Sequence, residues 1–171
     1  MADNSGLKEL FDTPASMLSA LSDPFTIKKP ASWAAYNEFG DRGEVGGDTD
    51  ALRHLLGAAT LARRQGPTYA QLALDWHENP NIPQFLGGGY GQRAGDRAMD
   101  VHNNKLGLEI AQKAKNYDDA LSMAKRYVKE GKIKYSNENY NVPPPTTTGK
   151  TDYVDKAIQA PVDLIRSMFS K

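Results

Sequence analysis

The chain has no cysteine, and its charges leave no surplus of either sign. The missing cysteine excludes a disulfide scaffold, a thiolate nucleophile and a zinc site built on thiolates. The 21 Lys and Arg residues balance the 21 Asp and Glu residues. Because proteins hold nucleic acids mainly through basic side chains that neutralise phosphates, this balance disfavours nucleic acid as a primary partner.

Long apolar runs are also missing from the sequence. No stretch approaches the roughly 20 apolar residues that a membrane-spanning helix requires, so no transmembrane segment is predicted. The start, Met1 to Gly6, lacks the basic region and apolar run of a signal peptide. We therefore expect synthesis in the cytoplasm without a signal peptide, and either incorporation into a virion or export by a non-classical route remains open.

No segment shows the two-residue alternation of a half-buried strand, whereas apolar residues recur at helical spacing. The sequence predicts an all-α fold, a compact bundle of about four helices with helical N- and C-terminal arms. Gly66-Pro67 and Asn79-Pro80 separate the first three core helices, because glycine and proline end helices. The predicted core helices cover 50–65, 67–78, 95–115 and a fourth stretch that begins after Asn116 and ends at Gly131.

The same patterns divide the chain into four parts. Residues 1–47 are predicted to form an N-terminal arm with short helices and an irregular segment over 22–47, and residues 48–135 the helical core domain. The Pro- and Thr-rich stretch 136–151 predicts an extended linker. Residues 152–171 predict an amphipathic helix. Because amphipathic helices bind grooves on other proteins, we expect both arms to contact neighbouring subunits.

All three histidines fall in the predicted core helices. His54 follows Asp50 by one helical turn, so the carboxylate can accept the imidazole N–H and fix its tautomer. His77 and Glu78 end the second helix, where the helix dipole is expected to raise the histidine pKa. His102 lies at the edge of the third helix. His54 alone is more often structural than catalytic, and for His77 a helix-capping role and a functional role are equally open, so the interpretation depends on the convergence of the histidines.

The third core helix carries an asparagine inside its apolar line. Asn103 lies among Met99, Leu106 and Ile110, and Asn104 follows it. A buried amide must find hydrogen-bond partners or cost about 1–3 kcal/mol, so this position needs a structural or a chemical reason. Tying a helix to a loop is the simpler explanation for either asparagine alone, and a role in substrate binding is the functional one.

Three blocks of sequence resemble a known family. Asp50 to His54, His77-Glu78 and Met99 to Gly107 are similar to a poorly characterised family of small helical domains from bacterial secreted or toxin-like proteins and phage genomes. The pattern is Asp-x-x-Arg-His, then His-Glu, then Met-Asp-x-x-Asn-Asn-x-x-Gly, and it covers about residues 48–131. The resemblance implies a shared pocket more strongly than a reaction. It points to Asp50, Arg53, His54, His77, Glu78, Asp100, Asn103, Asn104 and Gly107.

One hypothesis for this pocket is a hydrolase that acts on an envelope or cell-wall polymer. A divalent ion such as zinc and metal-free acid–base chemistry are equally open, and the loop over 79–95 would act as a lid. The candidate catalytic residues are His54, His77, Glu78 and Asp100. The candidate metal ligands are His54, His77 and Asp100.

The same hypothesis assigns a second set of residues to substrate binding, and an alternative needs no substrate. The candidate substrate-binding residues are Arg53, Asn103, Asn104 and Gly107. The alternative is a non-enzymatic structural or assembly protein of a phage virion, in which the polar pocket is structural. In that case the terminal arms bind the neighbouring subunits.

Overall fold

The computed structural model describes residues 5–13, 23–43 and 45–136. The predicted linker after Ser136 and the predicted helix over 152–171 lie outside the described residues. The described residues contain no strand, which confirms the predicted all-α fold. The helices are α1 Ser5–Asp12, α2 Asp23–Thr26, α3 Lys28–Phe39, α4 Asp48–Gln65, α5 Pro67–His77, α6 Ala94–Lys113 and α7 Tyr117–Lys129, with a short 3-10 turn over Gln84–Leu86.

Helix α4 forms the centre of the core. Its residues Leu52, Leu55 and Leu56 are fully buried, as the helical spacing of apolar residues in 50–65 predicts. Five helices (α1, α3, α5, α6 and α7) pack around α4, and α6 makes the most extensive contact with it. In the described part of the chain, no helix has both the length and the apolar character needed to cross a membrane.

Gly107 allows α6 to approach α4 closely. A Cβ atom added at Gly107 would lie 2.6 Å from the Leu55 carbonyl oxygen and 2.7 Å from the Ala58 Cβ, so only glycine fits without a shift of one helix. This crossing brings two polar residues of α6 next to α4. They are Asn104 and Asp100, one and two turns before Gly107. Gly107 therefore has a packing role that positions the candidate site.

The N-terminal residues belong to the same core as α4. Leu7 and Phe11 of α1 and Ala31 of α3 are buried in it, so the predicted boundary at residue 48 does not separate two packing units. The prediction of an irregular segment over 22–47 was wrong for 23–26 and 28–39, which form α2 and α3. Pro30 lies in the first turn of α3, where a missing N–H group removes no intrahelical hydrogen bond.

Two other features of the helix ends follow the sequence. The Asn116 side chain accepts a hydrogen bond from the Asp119 N–H at 2.9 Å, so the predicted cap of α7 is confirmed. Gly66 has φ of +86° between α4 and α5, and Pro67 is the first residue of α5. Local sequence signals therefore fixed the ends of the core helices to within a few residues.

Candidate functional site

The polar residues of α4 and α6 meet where the two helices cross. His54 Nε2 on α4 lies 2.9 Å from Asp100 Oδ1 on α6, and the two side chains are only 9% and 8% exposed. His54 Nδ1 lies 3.0 Å from Asn104 Oδ1. The structure thus brings the Arg-His and Asn-Asn blocks of the sequence together, because Asp100, Asn104 and Gly107 share one face of α6.

Glu78 determines which way the Asn104 amide faces. The Asn104 Nδ2 group donates to Glu78 Oε1 at 3.2 Å, so the amide oxygen faces His54. His54 Nδ1 must then carry the hydrogen of that bond. His54 Nε2 lies 3.2 Å from an Arg53 guanidinium nitrogen, which can only donate. Both ring nitrogens of His54 are therefore engaged by protein groups.

Asp50 and Gln92 complete the buried network. Asp50 Oδ2 accepts the Gly46 backbone N–H at 2.6 Å, and Asp50 Oδ1 accepts a hydrogen bond from Arg53. The Gln92 side chain comes from the loop that precedes α6 and donates to Asp100 Oδ2. The loop predicted as a lid therefore contributes a direct hydrogen bond to the network.

Burial and neighbouring charges shift the pKa values in this network in different directions. Burial alone would lower the pKa of His54, but the adjacent Asp100 carboxylate outweighs it and the pKa is raised. Burial would raise the pKa of Asp100, but His54 and then Arg53 lower it. Burial, followed by the charge of Asp100, raises the pKa of Glu78. His54 and Asp100 thus favour their charged forms together.

His77 differs from His54 in having one ring nitrogen uncommitted. Its Nδ1 donates to the Gly87 carbonyl oxygen at 2.8 Å, and its Nε2 has no hydrogen-bond partner among the described residues. Burial and then the positive charge of Lys28 lower the pKa of His77 to about 4. The predicted rise of this pKa was wrong, because burial and Lys28 outweigh the helix dipole. His77 is therefore neutral at pH 7.

A cavity of about 100 Å³ lies between α3, α4 and α5. Lys28 lines it, and within the described residues its ammonium group has no hydrogen bond or ion pair. Burial and then the charge of Arg53 lower the pKa of Lys28. The polar lining consists of Lys28, Arg53, His54, His77 and Asn104. The apolar lining consists of Pro24, Ile27, Ala31, Gly57, Ala58, Leu61, Ala73 and Leu74.

The candidate residue Asn103 and the third histidine, His102, have structural partners that account for them. Asn103 Nδ2 donates to the Lys134 carbonyl at 3.0 Å and its Oδ1 accepts the Lys134 N–H at 3.0 Å. These bonds satisfy the buried amide by pinning the segment after α7 to α6, as the simpler explanation of Asn103 expected. His102 Nε2 lies 2.9 Å from the Lys132 carbonyl oxygen, on the same exposed edge.

The geometry also changes the set of potential metal ligands. Among the described residues, the three that bring ligand atoms within 4.8 Å of one another are Asp50, His54 and Asp100. His77, which the sequence grouped with His54 and Asp100, is not in this set and lines the cavity instead.

Sequence reasoning missed Lys28 and Gln92. Lys28 opens a helix that was interpreted as irregular, and Gln92 lies in a glycine-rich loop without periodicity, so neither gave a sequence signal.

The fold and the site define a small all-α domain with a buried His–carboxylate network beside a cavity lined by basic groups. The chain belongs to the family described as "Domain of unknown function (DUF6973)", whose model matches residues 14–136. The match includes α2 and α3 and hence Lys28. No curated protein and no solved structure matches the chain. The expected membership of a poorly characterised family is confirmed.

Proposed function

We propose that the chain is a hydrolase that uses His77 as general base in the cavity. The observation that carries this proposal is the neutral His77 ring, with Nδ1 held by Gly87 and Nε2 uncommitted. A general base needs an available lone pair within reach of a water molecule, and a fixed tautomer keeps that lone pair in place. His54 offers neither nitrogen, since Asn104 and Arg53 engage both.

Positive charge beside His77 supports the same chemistry. Lys28 and Arg53 line the cavity together with His77, and Lys28 has no anionic partner among the described residues. When water attacks a carbonyl carbon, negative charge develops on the carbonyl oxygen, and a nearby ammonium or guanidinium group stabilises it. His77 takes the proton from the attacking water and returns it to the leaving group. This arrangement favours hydrolysis of an acyl bond, an amide or an ester.

The buried network serves as the support of this centre. Asp100, His54, Asn104 and Glu78 form a continuous chain of contacts from α6 through α4 to the end of α5, directly after His77. Its role is positioning, because Glu78 anchors the helix end that carries His77 and Asp50 holds the Arg53 guanidinium. The proposal therefore assigns His77 to proton transfer, and His54, Glu78 and Asp100 to keeping the cavity wall in place.

The proposed substrate is an envelope or cell-wall polymer, encountered within a virion or a secreted complex. A cavity of about 100 Å³ takes only a small group, so the polymer would insert an end or a side group. The apolar lining suits the aliphatic part of an amino acid, and Lys28 suits a carboxylate or a carbonyl oxygen. Peptide cross-links of a cell wall combine these features.

The test uses purified cell-wall peptidoglycan and a panel of acyl-ester and acyl-amide model compounds. We expect the wild-type chain to release new amino or carboxyl groups, measured by mass spectrometry. His77→Gln should lower the rate about 10²- to 10⁴-fold, the usual contribution of a general base. The matched control is His102→Gln, because His102 is an exposed histidine on the other side of α6 that bonds the Lys132 carbonyl.

Two results would contradict the proposal. One is a wild-type chain that hydrolyses none of these compounds, and the other is a His77→Gln variant that is folded and as active as His102→Gln. Circular dichroism and urea unfolding of both variants establish that a loss of activity does not come from unfolding.

A second function, an assembly protein without catalysis, is favoured by a separate observation. Large apolar side chains are exposed on α5 and the following loop, and an exposed apolar cluster is typical of a protein–protein contact. These residues are Leu72, Trp76, Phe85, Leu86 and Tyr90, between 49% and 66% exposed. Trp76 donates to the Leu86 carbonyl at 3.0 Å, which holds the helix and the loop together.

The assembly function predicts that the full chain associates with copies of itself or with other particle subunits. Sedimentation of the wild type should show association that Trp76→Ser combined with Phe85→Ser abolishes. A monomeric wild type that binds no particle subunit would exclude this function.

A further inference from the structure

We propose that Asp50, His54 and Asp100 form a binding site for one divalent metal ion, with Zn²⁺ as the preferred ion. This site is separate from the His77 centre and does not depend on the proposed function. It also differs from the ligand set expected from the sequence, because Asp50 takes the place given there to His77. Imidazole nitrogen and carboxylate oxygen are ligand types that zinc accepts.

The spacing of the three inner atoms fits a single ion. His54 Nε2 lies 2.9 Å from Asp100 Oδ1 and 3.6 Å from Asp50 Oδ1, and each of the three residues offers a ligand atom within 4.8 Å of the other two. Two ligands that each lie about 2.0–2.1 Å from zinc at right-angled to tetrahedral geometry are about 2.9–3.4 Å apart. The two separations from His54 Nε2 are close to this range without movement of the backbone.

The outer atoms of the same three side chains are held by other protein groups. Asp50 Oδ2 accepts the Gly46 N–H at 2.6 Å, and Asp100 Oδ2 accepts from Gln92. His54 Nδ1 donates to Asn104, so its Nε2 is the nitrogen that faces the carboxylates. Metal-binding histidines and carboxylates are oriented in this way by groups behind them.

One inner atom is a buried acceptor without a hydrogen bond. Asp100 Oδ1 has no hydrogen-bond partner among the described residues although Asp100 is only 6% exposed. His54 Nε2 lies 2.9 Å from this atom without hydrogen-bond alignment, and a metal ion that binds here displaces the proton of that imidazole nitrogen. A bound metal ion would satisfy both atoms at once.

Arg53 is the cation that competes with the metal ion. Its guanidinium group bonds Asp50 Oδ1 and lies 3.2 Å from His54 Nε2, so it contacts two of the three inner atoms. The Arg53 side chain is 26% exposed and also lines the cavity, which gives it room to move away when an ion binds. Removal of Arg53 should therefore strengthen metal binding. If Arg53 were only a structural partner of Asp50, its removal would not strengthen metal binding.

The experiment is isothermal titration of the EDTA-treated full-length chain with Zn²⁺. We expect binding of one ion per chain. Loss of a group that only orients a metal ligand lowers metal affinity about 10- to 100-fold. Asp100→Asn and Asp50→Asn each remove a proposed ligand, so each should weaken Zn²⁺ binding by more than that. Arg53→Gln should strengthen it several-fold. The matched control is Asp96→Asn, because Asp96 lies one turn before Asp100 on α6 and pairs with Arg93 at 2.9 Å.

Substitution with Co²⁺ gives a second readout that reports on the ligands. Four-coordinate Co²⁺ has a visible absorption band, which should be present in the wild type and absent in His54→Gln. The His77→Gln variant should retain both the band and the Zn²⁺ affinity. This variant also separates the two proposals, since it removes the proposed hydrolysis without touching the metal site.

Three results would overturn the proposal. The first is a wild-type chain that binds no Zn²⁺, Co²⁺ or Mn²⁺ at one ion per chain, in which case His54 and Asp100 share only a proton. The second is an Asp100→Asn variant that is folded and binds as Asp96→Asn does. The third is binding that His77→Gln removes and Asp50→Asn leaves, which would restore the ligand set expected from the sequence.

Discussion

Acidification should destabilise this protein through His77. The folded protein keeps this ring neutral, because burial and then the charge of Lys28 lower its pKa from 6.5 to about 4. The unfolded chain takes up a proton near pH 6.5 at the same ring. Between these two values the unfolded state binds more protons than the folded state, so the free energy of unfolding falls as the pH falls.

The size of the effect follows from the two pKa values. A histidine that titrates at 6.5 in the unfolded chain and at about 4 in the folded protein costs about 2 kcal/mol of stability at pH 5 and about 3 kcal/mol at pH 4, compared with pH 7. The total free energy of unfolding of a small domain is about 5–15 kcal/mol, so this loss of stability is measurable.

The assay is urea unfolding of the wild type and of His77→Gln at pH 7, 6 and 5. The variant has no group that titrates at this position, so the difference in unfolding free energy between the two proteins should change by about 2 kcal/mol between pH 7 and pH 5. His54 has a raised pKa and contributes in the opposite sense, since its stabilisation is lost as the pH rises. Both proteins retain His54, so its contribution cancels.

Proton NMR of the histidine rings checks the cause directly. The His77 resonance should titrate near pH 4, and Lys28→Met should move its pKa upward because one positive charge is removed. The His102→Gln variant lacks the His102 ring, so the resonance missing from its spectrum is that of His102. Parallel pH profiles for the wild type and His77→Gln, or a His77 resonance that titrates near 6.5, would refute the assignment of His77 as a buried neutral base.

Three further substitutions test the packing around the site. Gly107→Ala should cost about 1–3 kcal/mol in urea unfolding, because its Cβ would lie 2.6 Å from the Leu55 carbonyl oxygen; an unchanged midpoint would contradict the close crossing. Asn103→Ala should cost about 1–3 kcal/mol and speed amide exchange at Lys134, whose N–H it leaves unpaired. Lys8→Ala should leave the urea midpoint nearly unchanged, since its ion pair with Asp118 is exposed.

The sequence predicted the features that arise from local signals. The Gly66-Pro67 break, the Asn116 cap and the apolar line of α4 each depend on neighbouring residues, and each is present in the structure. The sequence also grouped His54 with Asp100 as candidate ligands of one site, and the two side chains are in contact, whereas the contact of His54 with Asn104 was not predicted. Local rules apply here because helix formation and helix faces are set within a few turns.

The sequence did not predict what depends on distant contacts. Asn103 could be recognised as needing a partner, but its partner Lys134 follows a different helix and gave no signal. The pKa of His77 was predicted in the wrong direction, because the helix dipole is visible in sequence whereas burial and Lys28 are not. A helix end can be located from sequence, but the electrostatic environment around it requires the fold.

Arg53 connects the two proposed centres, because it contacts both Asp50 at the metal site and the cavity that His77 lines. If a metal ion takes the place of its guanidinium group, the displaced guanidinium stays near the cavity. The ion then adds positive charge at the neighbouring metal site. Both effects lower the pKa of His77 further, since a nearby positive charge disfavours its protonated form. Zn²⁺ should therefore shift the His77 titration to lower pH in the wild type and leave it unchanged in Asp100→Asn. A His77 resonance that does not respond to Zn²⁺ in a chain that binds the ion would show that the two centres act independently.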